Sequence, residues 1–223
     1  MQKQPNKPTI QGEIEKALQK LNISSSITHA GRTDRGVHAL NQVIAFNAPD
    51  FWDIDKLRNE LNKILYPAIF IKKLSKTNEN FNPRFDAKKR SYRYVITNKI
   101  TPFSANYVTF YENKIDIKLL QKALKLFEGK HNFEYFAKTG SSVNGYIREI
   151  YKTDIFEYKN FVIIKIVGNG FLRGQIRLII DFILKINENK LTLNDLKSQL
   201  NKEKLISKHL APPNGLYLER IWY

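Results

Sequence analysis

The chain has 223 residues, and its 37 Lys and Arg against 21 Asp and Glu give a formal net charge of +16, typical of a protein that binds nucleic acid through phosphates. It contains no cysteine, which excludes disulfides, thiolate catalysis and cysteine-ligated zinc and fits a reducing cytoplasm. Neither a run of about eighteen apolar residues nor a signal-peptide pattern occurs, so we expect no membrane partner.

The first predicted element is a helix from Thr9 to Leu21. Its apolar residues recur at spacings of three and four, and Thr9 is suited to cap the start of the helix.

A loop with a carboxylate between two arginines follows this helix. Glycine adopts backbone angles that other residues avoid, so Gly31 and Gly36 are expected to allow a tight loop at both ends. Asp34 lies beside Arg32 and Arg35, and a carboxylate flanked by cations stays ionised, which suits a nucleophile or a base. The two arginines are suited to bind an anion. The alternative is a polar turn between two strands, without chemistry.

Three elements are predicted after this loop. The segment from Val37 to Asn47 has the composition of a strand. Apolar spacing indicates a second helix from Ile54 to Leu65, with Asp53 as its cap. The segment from Ala68 to Leu74 is apolar and β-branched enough for another strand.

A linker rich in Asn and closed by Pro is predicted from Asn78 to Pro83. We therefore expect an N-terminal subdomain of residues 1–80, carrying the Asp34 loop, and a C-terminal subdomain of residues 81–223.

The second part opens with a predicted strand from Lys88 to Ile96. Side chains alternate across a strand, so Arg90, Tyr92 and Tyr94 share one face and form a candidate platform for an unstacked base. The alternative for both tyrosines is ordinary packing in a sheet.

Further elements are a helix from Asp116 to Glu128, which Gly129 ends, and a hairpin of two strands, Tyr146 to Tyr158 and Phe161 to Val167. An apolar helix then follows. Arg173 and Arg177 are four residues apart and are expected to share a face of this helix.

Several of these segments resemble the tRNA pseudouridine synthase A family. The run from Gly31 to Ala39 is similar to the family's signature, and Arg-x-Tyr-x-Tyr at Arg90 to its second motif. Phe-Leu-x-x-x-x-Arg, from Phe171 to Arg177, is similar to the third, and the stretch from Ala211 to Leu218 to its closing turn and strand.

The resemblance runs from about Gln4 to Tyr223, with two departures. Residues Met1 to Asn6 resemble the family's link between its first strand and first helix, so the first strand is expected to be absent. The family shows other residues where this chain has Arg173-Gly174-Gln175, so Arg173 inherits no role.

The resemblance implies a role for each candidate site residue. Asp34 is the catalytic nucleophile, Tyr92 lies against the target base and Arg177 lies beside the carboxylate. Residues expected to bind substrate RNA are Arg32, Arg35, Arg90, Tyr94, Phe171 and Leu172. No cofactor or metal is expected, because the isomerisation of uridine loses no atom and involves no redox change.

The implied fold is α+β, with two α/β subdomains that share a largely antiparallel sheet and a catalytic cleft between them. The implied activity is an isomerase that converts uridine to pseudouridine at positions 38, 39 and 40 of the tRNA anticodon stem-loop. A homodimer in the cytoplasm is expected. Two alternatives remain: a non-catalytic basic RNA-binding protein, and a glycoside-acting hydrolase that pairs Asp34 with a second acid.

Overall fold

The computed structural model describes residue 1, residues 7–140 and residues 145–223, and its contacts group the chain into two compact units. Unit 1 comprises Met1–Thr33 and Gln42–Ala87, and unit 2 comprises Asp34–Asn41 and Lys88–Tyr223. The sequence predicts a division at residue 80 with the Asp34 loop in the first part. The contacts instead place Asp34–Asn41 in unit 2. Residues 2–6 of the predicted N-terminal link lie outside the described residues.

Unit 1 is built on two amphipathic helices, α1 (Ile10–Lys20) and α2 (Ile54–Leu65), which bury apolar residues against each other. The predicted caps are confirmed. The Thr9 hydroxyl accepts a hydrogen bond from the backbone N–H of Gly12 at 3.1 Å. The Asp53 carboxylate likewise accepts one from Lys56 at 2.8 Å. Each cap satisfies a donor that the helix itself leaves unpaired.

The single strand predicted from Val37 to Asn47 is wrong, because this segment divides between the two units. Strand β1 (Thr28–His29) of unit 1 pairs antiparallel with β3 (Ile44–Ala45). Between them in sequence, β2 (His38–Ala39) joins the sheet of unit 2. The composition of the segment favours a strand throughout. It does not indicate that β2 and β3 pair with different strands, β9 and β1.

The strand predicted from Ala68 to Leu74 is also wrong, since residues 69–74 carry no regular secondary structure. The side chain of Asn62 takes the place of a neighbouring strand for Ile71. It accepts from the Ile71 N–H at 2.7 Å and donates to the Ile71 carbonyl at 3.0 Å.

Unit 2 contains a seven-stranded sheet, with β2-β9-β4-β8-β7-β6 in order and β5 beside β4. Its other strands are β4 (Lys89–Thr97), β5 (Thr109–Phe110), β6 (Gly129–Asn132), β7 (Ile147–Tyr158), β8 (Phe161–Gly168) and β9 (Leu216–Trp222). Only the pairs β2–β9 and β4–β5 are parallel. This confirms an α+β fold with a largely antiparallel sheet. In the described residues all seven strands belong to unit 2, so the expected sharing of one sheet by both subdomains is not seen.

Three helices complete unit 2: α3 (Ile117–Lys125), α4 (Gln175–Asn187) and α5 (Leu193–Leu200). Fully buried residues of α3 and α4, such as Leu120 and Phe182, form one core with sheet residues such as Ile164. The β7–β8 hairpin is confirmed, with Lys159 at φ +55° in its turn. Along the described ranges, no helix is both long and apolar enough to cross a membrane.

Candidate active site

The Asp34 segment begins with a turn. Of the two glycines predicted to be needed for this loop, only Gly36 occupies a position that requires glycine. The N–H of Val37 donates to the Asp34 carbonyl at 3.2 Å. Gly36 has φ +81°, and a Cβ at this position would lie 2.9 Å from Cγ of Pro213. Gly31 has ordinary backbone angles and open space around it. The expectation of a glycine-dependent loop therefore holds at Gly36 and is wrong at Gly31.

The fold brings Asp34 and Arg177 together across 143 residues of sequence. Nη1 of Arg177 donates to Oδ2 of Asp34 at 3.0 Å. The side chains are 31% exposed for Asp34 and 14% exposed for Arg177. The carboxylate is thus held in one direction by a charge-assisted hydrogen bond while part of it remains open to a substrate.

A turn near β9 fixes the guanidinium on its other side. Nε of Arg177 donates to the Ala211 carbonyl at 2.6 Å. The Ala211 N–H donates back to the Arg177 carbonyl at 3.1 Å. Because Arg177 is held at both side chain and backbone, its guanidinium is preorganised toward Asp34.

Arg173 does not share a helix face with Arg177, contrary to the sequence prediction. Helix α4 begins at Gln175, and its N-cap Gly174 has φ +74°. The left-handed angle at Gly174 turns the chain before the helix starts, so Arg173 lies outside the helix and is exposed.

Tyr92 lies half-buried on β4, beside Phe171. Their rings are 5.3 Å apart and nearly perpendicular, the edge-to-face geometry that aromatic pairs prefer. Burial raises the pKa of Tyr92 to about 12; the nearby Arg90 opposes this shift, and the Asp34 carboxylate adds to it. Tyr92 therefore stays neutral at pH 7 and lies within electrostatic reach of Asp34.

Two residues expected to bind RNA are buried instead. Tyr94 is 1% exposed, and its hydroxyl donates to the Pro212 carbonyl and accepts from Thr109. Leu172 is 5% exposed and packs in the core of unit 2. Both predictions are corrected, because neither side chain presents a surface that a base could contact.

The three arginines of the predicted RNA-binding set differ in their surroundings. Arg35 is exposed on the Asp34 segment of unit 2, whereas Arg32 is exposed in unit 1. Arg90 is half-buried, and its Nη1 donates to the Asn169 carbonyl at 3.0 Å.

One side chain of the Gly31–Ala39 signature and one of the Ala211–Leu218 stretch hold residues 105–108 in place. The sequence alone does not link residues 105–108 to the site. Nδ2 of Asn214 donates to the carbonyls of Ala105 at 2.8 Å and Val108 at 2.7 Å. Nε2 of His38 donates to the Asn106 carbonyl, also at 2.8 Å. Both His38 and Asn214 stand in segments singled out by sequence, but their carbonyl partners carry no side-chain signature.

The arrangement suits a reaction that needs one oriented carboxylate. Asp34 is ion-paired and partly open, as a nucleophile or general base requires, and a neutral aromatic pair lies nearby. Among the described residues, no cluster of three or more His, Asp or Glu is placed to hold a metal ion.

Comparison with known proteins points to one family. A family profile for tRNA pseudouridine synthase matches residues 1–86 and 123–223. A Campylobacter jejuni (strain RM1221) protein named tRNA pseudouridine synthase A is 41% identical over 222 residues, covering 99% of this chain and 92% of the relative. A Helicobacter pylori (strain P12) protein of the same name is 42% identical over 228 residues, with the same coverage. A crystal structure titled "Crystal Structure of a Cbf5-Nop10-Gar1 Complex" has a TM-score of 0.43 at 13% identity over 82% of this chain and 42% of that one, too weak a similarity to support an argument.

Proposed function

Because this chain belongs to the tRNA pseudouridine synthase family, and is thus an isomerase of tRNA uridine, we propose that it acts at positions 38, 39 and 40 of the anticodon stem-loop with Asp34 as its nucleophile. The observation that carries the assignment of Asp34 is its 3.0 Å ion pair with Arg177. The resemblance of the Asp34 and Arg177 segments to the family's motifs implies the same pairing, and this supports the assignment.

The reaction needs little beyond one oriented carboxylate. The bond from the ribose carbon to the base nitrogen breaks, and a bond from the same ribose carbon to a base carbon replaces it. Asp34 supplies the nucleophile that assists this exchange, and the hydrogen bond from Arg177 holds the carboxylate in one direction. The hydrogen on that base carbon leaves as a proton, and the freed base nitrogen takes up a proton from water. Uridine and pseudouridine therefore contain the same atoms and no electron is transferred to another molecule, so the reaction balances without a co-reactant.

Tyr92 and Phe171 are assigned to the target base. A base must leave its stack to reach Asp34, which costs a few kcal/mol, and stacking on an aromatic ring offsets part of that cost. Tyr92 presents a half-buried ring, and Phe171 supports it edge-on at 5.3 Å. With its pKa raised to about 12, Tyr92 acts through its ring and as a neutral hydroxyl, not as a base.

The remaining arginines are assigned to the RNA backbone. Arg35 and Arg32 are exposed. Arg90 is half-buried, and its charge lowers the pKa of Tyr92 against the larger effect of burial. Family resemblance further supports a homodimer that binds tRNA in the cytoplasm.

The function is tested by incubating the purified protein with tRNA that carries tritium at carbon 5 of uridine. Isomerisation replaces the hydrogen at that carbon with the ribose carbon, so we expect tritium to be released into water and the mass of unlabelled tRNA to stay unchanged. Transcripts with one of the three uridines replaced by cytidine identify the positions used. Release of free uracil would indicate the hydrolase instead, and binding without tritium release the non-catalytic RNA-binding protein.

The affinity for tRNA is expected to fall steeply as salt rises. A net charge of +16 favours several phosphate contacts, and each contact releases counterions from the RNA. The entropy gained by this release becomes smaller as the salt concentration rises. Filter binding between about 50 and 200 mM salt should give roughly a thousandfold loss if six or more phosphates are contacted. An affinity that stays flat over this range would contradict an electrostatic binding surface.

A further inference from the structure

Unit 1 has an open cleft along α2 and the segment that follows it. The cleft has a volume of about 960 Å³. Two aromatic side chains on its wall are unusually open, with Tyr66 79% exposed and Phe70 71% exposed. Large aromatic residues this exposed that line the same cleft make it a candidate binding surface.

The wall of the cleft is strongly basic. Four cations line it, Lys56, Arg58, Lys63 and Lys72, with one acid, Glu60, in the lining. Arg58 is also paired with Asp55 at 3.2 Å, so the excess charge comes from the lysines. Glu60 pairs with Lys63 at 2.7 Å, but the Lys63 side chain is 71% exposed. An exposed pair at this helical spacing contributes little, so Lys63 can exchange Glu60 for a phosphate at small cost.

The segment that carries Phe70 is held in place before any ligand arrives. The Asn62 side chain makes two hydrogen bonds to the backbone of Ile71, at 2.7 and 3.0 Å. Ile69 and Ile71 pack against the apolar core of unit 1. A ligand therefore meets a preformed aromatic surface and does not have to order it.

We propose that this cleft, defined by Lys56, Arg58, Lys63, Tyr66, Phe70 and Lys72, binds an unpaired nucleotide of the substrate tRNA outside the reaction site. The proposal rests on the proposed function for the identity of the RNA. Tyr66 and Phe70 stack on the base, and the cations contact the adjoining phosphates, the combination by which proteins hold single-stranded nucleic acid.

The chemistry of the wall favours RNA over a protein partner. Lysine is depleted in the cores of protein–protein interfaces, whereas three of the four cations here are lysines. Base stacking is independent of sequence, so the cleft adds affinity for tRNA without specifying which uridine reacts.

The test compares Tyr66→Ala with Phe70→Ala by tRNA filter binding at fixed salt. We expect each to weaken tRNA binding about tenfold, with the loss expressed in KM more than in kcat. Phe51→Ala is the matched control: Phe51 is also 79% exposed in unit 1 but does not line the cleft. Its Kd should stay within about twofold of the unsubstituted protein. Thermal melting checks that all three variants are folded.

A second pair of variants tests the phosphate contacts. Lys63→Gln combined with Lys72→Gln should lower the slope of log Kd against log salt by about 1.5, close to the value for two contacts. An unchanged Kd and salt slope in all cleft variants would overturn the proposal. If the cleft variants sediment as monomers while the unsubstituted protein sediments as a dimer, and their tRNA affinity is unaltered, the proposal is also overturned. That result would show that a second copy of the chain occupies the cleft. Failure of the proposed function is distinct, since it appears as absent tritium release by the unsubstituted protein.

Discussion

Asp34→Ala is expected to abolish pseudouridine formation and leave tRNA binding intact. The substitution removes the only group assigned as nucleophile, and we expect turnover to fall by at least about a thousandfold. Phosphate contacts dominate affinity for nucleic acid, so the loss of one carboxylate should change Kd by less than about threefold. Tritium release and filter binding on the same tRNA measure the two effects separately.

Asp50→Ala is the matched control for the loss of a negative charge. The Asp50 side chain is fully exposed in unit 1 and pairs with Lys76 at 3.5 Å. Its turnover should equal that of the unsubstituted protein. Substantial turnover by Asp34→Ala would show that another residue is the nucleophile and that the proposed assignment of this loop is wrong.

Arg177→Met is expected to reduce both turnover and stability. It leaves the Asp34 carboxylate without its partner and the Ala211 carbonyl without its 2.6 Å donor. Breaking a fully buried pair costs about 3–5 kcal/mol, but Asp34 is 31% exposed, so we expect a loss of about 2 kcal/mol in the free energy of unfolding. Denaturant unfolding and turnover of the folded variant separate the two losses.

Arg177→Lys should restore turnover only in part. Lysine keeps the positive charge, but one ammonium cannot reproduce the planar fork that reaches both Asp34 and Ala211. Arg173→Met is the control, because Arg173 is exposed and precedes α4. Equal losses for the two Met variants, or a larger loss at Arg173, would show that Arg177 is the wrong arginine.

Features that depend on neighbouring residues could be predicted from the sequence. The caps Thr9 and Asp53 bond to N–H groups three residues ahead, so a short window contains both donor and acceptor. The same logic would have found α5, which is absent from the predicted elements although Thr192 and Asp195 form a capping box. The long β7–β8 hairpin was also predictable, since its two strands are adjacent in sequence.

Features that depend on distant partners could not be predicted. Tyr92 and Tyr94 lie on the same face of β4, yet only Tyr94 is enclosed, by Pro212 and Thr109 from remote segments. Nothing in Arg-x-Tyr-x-Tyr distinguishes the two. The pairing of Asp34 with Arg177 was expected from family resemblance, and spacing alone would not have indicated it.

The early position of Asp34 in the chain has a consequence for biosynthesis. Asp34–Asn41 belongs to unit 2, but its partners are made much later. Arg177 follows Asp34 by 143 residues, and Glu219, whose carbonyl accepts a hydrogen bond from Asn41, follows Asn41 by 178 residues. Once the ribosome has translated Ala87, both segments of unit 1 are complete. At that point the strand of unit 2 that pairs with the Asp34 segment has not yet been made. The carboxylate gains its arginine only after α4 is made, and β2 its neighbour only after β9. We therefore expect a nascent chain to act on tRNA only after nearly all of unit 2 has been translated, so that translation itself delays the onset of activity.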